Sequence, residues 1–199
     1  MKKVKFWVLI AIYLLLAFAD GALTYINTPD LSNEGNPLVA KLGLGWGALA
    51  IANIVIFILF FAAAYYSFFK YQTKYTDETK FTAYCSQITF GRPDKFWTGL
   101  IPKHITPYIA GTGFAFFPAG ILARLILVLE WIVVTLYTYD YHRFRDLYYF
   151  YVRYCSFERT YCGGRLDVVL AMVAFFVGVY YWLHGEFEKQ LKKDAVTAE

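Results

Sequence analysis

Long apolar runs constrain this chain more than any other feature of its sequence. Several blocks of apolar residues are separated by shorter polar segments. A helix needs about 20 predominantly apolar residues to cross the hydrocarbon core of a bilayer. Hydrophobic residues make up 59% of the 199-residue chain, whereas about 45–50% is usual for soluble domains. The sequence therefore predicts an all-α, polytopic membrane protein in which residues 1–199 form a single integral membrane domain.

Four spans are predicted, covering residues 6–26, 42–69, 119–139 and 166–183. The first span follows three lysines, and a basic start before an apolar run is also typical of a signal peptide. Its length and its Ala19-Asp20-Gly21 stretch, a poor cleavage motif, favour a retained span. We therefore interpret this run as the first helix of the bundle.

The third apolar block is the hardest to interpret. Residues 105–139 form a single run that is long for one helix and short for two. Pro118 and Gly120 interrupt it, and proline in a helix interior removes a hydrogen bond. We expect a break near Pro118, with a re-entrant segment leading into the span. The alternative is a hairpin of two thin spans, which gives five spans in total.

Basic residues predict the orientation, because cytoplasmic loops carry an excess of lysine and arginine. Eleven of the twelve lysines, all but Lys41, fall at the amino terminus, in residues 70–104 or in the carboxy-terminal tail. We expect these parts, including both termini, to be cytoplasmic at a cell (inner) membrane. The net charge of +4 is also attributed to residues that orient the protein in the membrane. No nucleic-acid partner is expected, because no nucleic-acid-binding module is recognisable.

An aromatic, arginine-rich loop, residues 140–165, then lies on the external side and is expected at the membrane interface. Its Arg143, Arg145 and Arg153 are candidates for contacts with anionic headgroups. Cys155 and Cys162 suit a small disulfide loop in an oxidising compartment, and two unpaired thiols are the alternative. The cysteines and histidines show no metal-ligand spacing, so neither a metal nor another cofactor is predicted.

Ionisable groups inside a membrane are costly and are functional candidates by default. Asp20 lies in the first span, and Arg124 and Glu130 lie in the third. The spacing of Arg124 and Glu130 places them about 240° apart around a helix, which prevents pairing. Asp20 can pair with Arg124 only at a similar depth, and the predicted spans place the two at different depths. Asn53 is the predicted polar partner of Glu130.

A second group of polar candidates lies around the first loop. Asp20 and Thr24 share a helix face, and Asp30, Glu34 and Asn36 follow within a short stretch. Three carboxylates this close could ligate a hard cation. The favoured alternative is a polar loop in which Glu34 and Asn36 cap the second helix.

This pattern, Asp20-x3-Thr24 followed by Glu34-x-Asn36-Pro37-Leu38, resembles a family of uncharacterised small multi-pass membrane proteins of bacteria and archaea. The resemblance covers the chain from its start to about position 60. It implies a membrane fold and no defined activity.

Three functions are open. The first is a non-enzymatic accessory or effector subunit that contacts lipid, a protein partner or further copies of itself, packing through small residues such as Gly43, Gly45 and Gly47. The second is a small oligomeric channel or transporter lined by the three intramembrane charges. The third is an intramembrane enzyme on a lipid or lipid-linked substrate, with the carboxylates of the first loop as acids. The small-residue stretches and the aromatic surface favour the first, because both suit packing against partners.

Overall fold

In a computed structural model the chain is described over residues 2–31, 42–93, 103–154 and 166–197. The helices are α1 (Lys2–Asn27), α2 (Trp46–Tyr65, continued by π-helical Tyr66–Lys70), α3 (Phe81–Phe90), α4 (Ile105–Tyr139), α5 (Tyr141–Tyr154) and α6 (Leu166–Thr197). No β-strand occurs in these residues. The all-α prediction is confirmed.

Four helices are long and apolar enough to cross a bilayer, over Lys3–Asn27, Trp46–Lys70, Ile105–Tyr139 and Val168–Lys193. The predicted bundle of four spans is therefore confirmed. The last helix continues well past the predicted end of its span at residue 183, through most of the polar tail.

The break predicted near Pro118 was wrong. α4 is one continuous helix of 35 residues, about 52 Å long, so it extends beyond a hydrocarbon core about 30 Å thick. Prolines are tolerated in membrane helices because neighbouring helices and local adjustments satisfy the freed backbone groups. Phe117 and Ala119, on either side of Pro118, are both buried by packing. The re-entrant segment and the fifth span are thus absent from the described residues.

α4 is the central helix, since α1, α2, α5 and α6 all pack on it. Its small residues allow this close packing. A Cβ added at Gly113 would lie 2.2 Å from the backbone carbonyl of Ala63 in α2, and one added at Gly178 of α6 would lie 2.8 Å from the Cβ of Ala115. Van der Waals contact between backbones is a main source of helix association in lipid.

The glycines predicted for packing take no part in these close crossings within the chain. Gly43, Gly45 and Gly47 have open space where a Cβ would be placed. Gly43 has a φ of +62°, a left-handed conformation that glycine adopts at little cost. It therefore serves the turn before α2, and packing of this stretch against a partner stays a prediction.

One end of the bundle collects the lysines, and we call it the lysine-rich end. The start of α1 meets the end of α2 there, with the ring centroids of Phe6 and Phe69 5.0 Å apart. Trp182 of α6 packs on Tyr71, with their ring centroids 5.1 Å apart. The described lysine side chains at this end are Lys3, Lys5, Lys70, Lys74, Lys80, Lys103, Lys189, Lys192 and Lys193. The start of α1 and the end of α6 thus lie on the same side, and the compartment that they face stays a prediction.

Side-chain hydrogen bonds, which we call the polar latch, connect the segment after α2 to the end of α6. Thr73 Oγ1 donates to Glu186 Oε2 at 2.6 Å. The side-chain oxygen of Gln190 accepts from the backbone N–H and hydroxyl of Thr76, at 2.9 and 3.1 Å, and its Nε2 donates to the carbonyl of Glu78 at 2.6 Å. Gln190 is fully buried. This docking accounts for the helical conformation of a segment that its composition marks as a polar tail.

Beside this latch, α3 packs on α6 through Tyr84, Cys85, Ile88 and Phe187. Cys85 is 1% exposed and unbridged. Burial raises the pKa of its thiol to about 12. Because the thiolate is the reactive form, this cysteine is expected to be inert near neutral pH.

The close crossing of α2 and α4 predicts the effect of enlarging Gly113. We expect Gly113→Ala to destabilise the bundle by about 1–3 kcal/mol, because the added methyl overlaps backbone that cannot move aside. The matched control is Gly47→Ala, which enters open space within α2 and gains about 0.5–1 kcal/mol of helix propensity. Unfolding in mixed micelles measures both, and equal stability of the two variants would contradict the packing described.

Burial of Cys85 predicts its labelling. In a chain carrying Cys155→Ser and Cys162→Ser, a maleimide should leave Cys85 unmodified in the folded protein and modify it in dodecyl sulfate. With a pKa of about 12, roughly one thiol in ten thousand is ionised at pH 8, and that fraction rises tenfold per pH unit. Rapid labelling of the folded protein at pH 8 would rule out the packed layer of α3 on α6.

Candidate functional site

Asp20 lies on the buried face of α1. Residues 6, 10, 13, 20 and 24 are all buried, and this spacing of three, four and seven positions forms a single stripe along a helix. The first three positions are Phe6, Ile10 and Tyr13, which pack in the aromatic core with Phe117 of α4. The same stripe therefore turns the carboxylate of Asp20 toward α4.

Arg124 of α4 meets this carboxylate and joins three spans. Its Nη1 donates to Asp20 Oδ2 in an ion pair, and its Nη2 donates to Asn53 Oδ1 of α2 at 2.6 Å. Asn53 Nδ2 in turn donates to the carbonyl of Leu49, one turn earlier in α2, at 2.8 Å. The side chains of Arg124 and Asp20 are 21% and 10% exposed, so most of their surface is shielded by the bundle. Charge-assisted hydrogen bonds of this kind are the strong ones.

The expectation that Asp20 and Arg124 lie at different depths was wrong, and its cause is the position at which α4 begins. A span starting at position 119 places Arg124 in its second turn. The structure instead begins α4 at Ile105 and α1 at Lys2, and both helices start at the lysine-rich end. Arg124 and Asp20 are therefore each about five turns, or about 28 Å, along their helices.

The predicted roles of Asn53 and Glu130 are resolved differently. Asn53 was expected beside Glu130. Its Oδ1 instead accepts a hydrogen bond from Arg124. Glu130 is partly buried in α4, closer to the end of that helix than Arg124. Its role in a path through the membrane stays a prediction.

A second polar link between α1 and α4 was missed by the sequence analysis. Asn27 Nδ2 donates to Thr135 Oγ1 at 2.9 Å, and the Thr135 hydroxyl donates to the carbonyl of Trp131 at 2.7 Å. The two residues are 108 positions apart. No local signal could have found this pair, although each is a polar residue near the end of an apolar run.

The remaining candidates of the first loop do not form a shared site in the described residues. The Thr24 hydroxyl donates to the backbone carbonyl of Asp20 at 2.8 Å, within its own helix. Asp30 is exposed beyond the end of α1, while Glu34 and Asn36 lie outside the described residues. Across residues 2–31, 42–93, 103–154 and 166–197, no three His, Cys, Asp or Glu side chains are grouped as metal ligands.

The arginine-rich loop contains a helix at the end of the bundle opposite the lysines. α5 folds back on the end of α4, with Tyr137 and Tyr148 stacked at a centroid distance of 4.0 Å. Arg143 and Arg145 are exposed on α5, and Arg145 Nε pairs with the exposed Asp146 at 3.3 Å. Arg153 is in the last turn of α5, and its side chain lies outside the described part of the structure. Cys155 and Cys162 also lie outside the described residues. Headgroup contacts and the disulfide stay predictions.

In chemical terms, the arrangement of Asp20, Arg124 and Asn53 is suited to holding helices together. A buried ion pair with additional hydrogen bonds lowers the cost of bringing each charge into a medium of low dielectric constant. Each group also comes from a different helix. We therefore interpret the three residues as an interhelical clamp, and we use the name polar clamp for them below.

The polar clamp predicts strong energetic coupling between its two charges. We expect Asp20→Asn alone to cost about 3–5 kcal/mol, because it leaves the guanidinium of Arg124 shielded and unpaired. Adding Arg124→Gln to that variant should recover part of the loss, giving a coupling energy of about 0.5–3 kcal/mol in a double-mutant cycle.

The matched control is the exposed pair Arg145–Asp146, where Arg145→Gln and Asp146→Asn should couple by about 0.2–1 kcal/mol or less. Unfolding in mixed micelles or bicelles measures both cycles. Coupling at the polar clamp no larger than that of the surface pair would remove its role in stability.

Comparison of the chain with protein-family models, with curated proteins and with solved structures finds no match. The resemblance of the first part of the chain to a family of small multi-pass membrane proteins stays a prediction.

Proposed function

We propose that this multi-pass membrane protein is a non-enzymatic accessory or effector subunit that works by contact with other membrane helices. The observation that carries the proposal is that two of the three intramembrane charges, Asp20 and Arg124, are bonded within the bundle. Asp20, Arg124 and Asn53 are bonded to one another across three spans, and groups occupied in this way are not available to bind a substrate. Two of the residues expected in a transport path, Asp20 and Arg124, thus have a structural explanation.

The surface of α2 supports contact with a partner. A stripe of exposed apolar side chains runs along it at helical spacing, formed by Ile51, Ile54, Val55, Ile58 and Leu59. Most of these are β-branched, and β-branched side chains in a helix hold one strongly preferred rotamer. Their packing against another helix therefore costs little side-chain entropy. We take this stripe as the contact surface and expect a membrane helix of another subunit, or of a second copy, to cover it.

Photo-crosslinking in native membranes tests the proposal. A crosslinking residue at Ile51 should give a protein adduct of one defined mass, while one at Val169 of α6, also exposed, should give lipid adducts. Ile54→Ala with Ile58→Ala should lower the yield at Ile51 severalfold, because truncating the centre of a contact weakens it most. The matched control is Val173→Ala with Val177→Ala on α6, which should leave that yield unchanged.

Two outcomes would contradict the proposal. One is that crosslinking residues at Ile51 and at Val169 both give lipid adducts alone, in equal yield. The other is ion flux through the purified protein in liposomes that Glu130→Gln abolishes, which would favour the channel or transporter. In that case the apolar stripe of α2 would be an ordinary lipid-facing surface.

A further inference from the structure

Two neighbouring cavities open at the lysine-rich end, at and beyond the ends of the spans. The first has a volume of about 370 Å³ and is lined by residues that include Lys74, Thr76, Gln87, Lys103 and His104. The second, of about 330 Å³, is lined by residues that include Lys70, Tyr71, Lys74 and Thr106. Lys74 lines both cavities. We call the pair the basic cavities.

One wall of the first cavity is formed where the end of α3 meets the residues just before α4. α3 is followed by Gly91, which has a φ of +71°, the left-handed conformation common just after helices. The backbone N–H groups of Lys103 and His104 then both donate to the carbonyl of Thr89, at 3.0 and 3.1 Å. These bonds hold Lys103 and His104 against the end of α3, immediately before α4 begins. A Cβ at Gly91 would lie 2.8 Å from Lys103 Cδ, so the glycine leaves room for the lysine stem.

The charged side chains that line these cavities are all cationic, and one carboxylate, that of Glu186, lies beside the second cavity, where it accepts from Thr73. No aspartate or glutamate lines either cavity, and no carboxylate in the described residues forms a salt bridge with Lys70, Lys74 or Lys103. Burial and the ammonium groups of Lys74 and Lys103 lower the pKa of His104. The amino end of α4 adds the partial positive charge of a helix terminus. Such a concentration of like charge raises the local concentration of anions.

Two hydrogen-bonding groups at the basic cavities lack a protein partner. The side-chain oxygen of Gln87 and the hydroxyl of Tyr71 are buried without a hydrogen bond in the described residues. Burial and the nearby carboxylate of Glu186 raise the pKa of Tyr71 far above its usual value, so its hydroxyl keeps its proton and is a donor. Rotation of the Gln87 amide can present its N–H groups instead. Buried polar groups are nearly always satisfied in native proteins, and turning these two side chains toward the cavities would let an oxyanion accept from both.

We propose that the basic cavities bind a phosphate group, through Lys74, Lys103 and His104 in the first cavity and through Lys70 and Tyr71 in the second. Phosphate suits them because its oxygens accept several charge-assisted hydrogen bonds at once. The cavities lie beside the end of α2 and the start of α4, which are ends of two candidate spans, where lipid headgroups are expected. The ligand is the phosphate of an anionic lipid headgroup or a free phosphate. This site goes beyond the proposed contact function and does not depend on it.

Binding by the purified full chain in a neutral detergent tests the proposal. Phosphatidylglycerol and phosphatidylcholine are titrated separately, and bound lipid is counted by native mass spectrometry. Inorganic phosphate is added as the competitor. We expect phosphatidylglycerol to bind more tightly than phosphatidylcholine, and Lys74→Gln with Lys103→Gln to weaken its binding about tenfold or more. If phosphate displaces the lipid, the site accepts free phosphate, and if it does not, the lipid headgroup is the ligand.

The matched control is Lys80→Gln with Lys192→Gln, two exposed lysines of the same end that line neither cavity. This variant removes the same charge and should retain binding within about twofold. Lys74→Arg with Lys103→Arg keeps the charge and should also bind, which separates loss of the site from loss of the fold. The proposal is overturned if neither lipid nor phosphate binds preferentially, or if the control pair loses as much binding as the cavity pair.

Discussion

A charged guanidinium within an apolar bundle is the constraint on which the rest of this structure depends. Water is excluded from the hydrocarbon core, so Arg124 must find its counter-charge and hydrogen-bond acceptors within the protein. Asp20 supplies the charge and Asn53 supplies an acceptor, and these come from α1 and α2. The relative depth of three helices is thereby set by one side chain. The close contact of Gly113 with Ala63 positions α2 near enough to α4 for the bond to Asn53 to form.

The fold was largely predictable, because the signal for a membrane helix is local in sequence. Each span is marked by its own apolar run and by the polar residues that follow it. Pro118 shows where this reasoning failed, since a proline is a helix breaker in water but is accommodated when neighbouring helices surround it. That single error placed the start of α4 at position 119 instead of at Ile105, and the misplaced start then hid the match in depth between Asp20 and Arg124.

The candidate site was predictable in part. Asp20 and Arg124 were found because a charge inside an apolar run stands out, whatever the fold. Their partners were not, because pairing depends on which helix faces which. The sequence pattern predicts Asn53 as the partner of Glu130, and the bond between Asn27 and Thr135 has no sequence signature at all. The basic cavities are a further case, since Lys74 and Lys103 are distant in sequence and line one cavity where the backbone of Lys103 bonds to Thr89 of α3.

The order of synthesis determines when the ion pair between Asp20 and Arg124 can form. Asp20 precedes Arg124 by 104 positions, and at synthesis rates of about 5–20 residues per second it waits about 5–20 s for its counter-charge. During that interval a carboxylate in the first helix has no cationic partner in its own span, and a position near the membrane surface lowers the cost. Asn53 is made earlier than Arg124 but brings no charge. The arrival of the third span is therefore the event that allows the first to settle at its final depth.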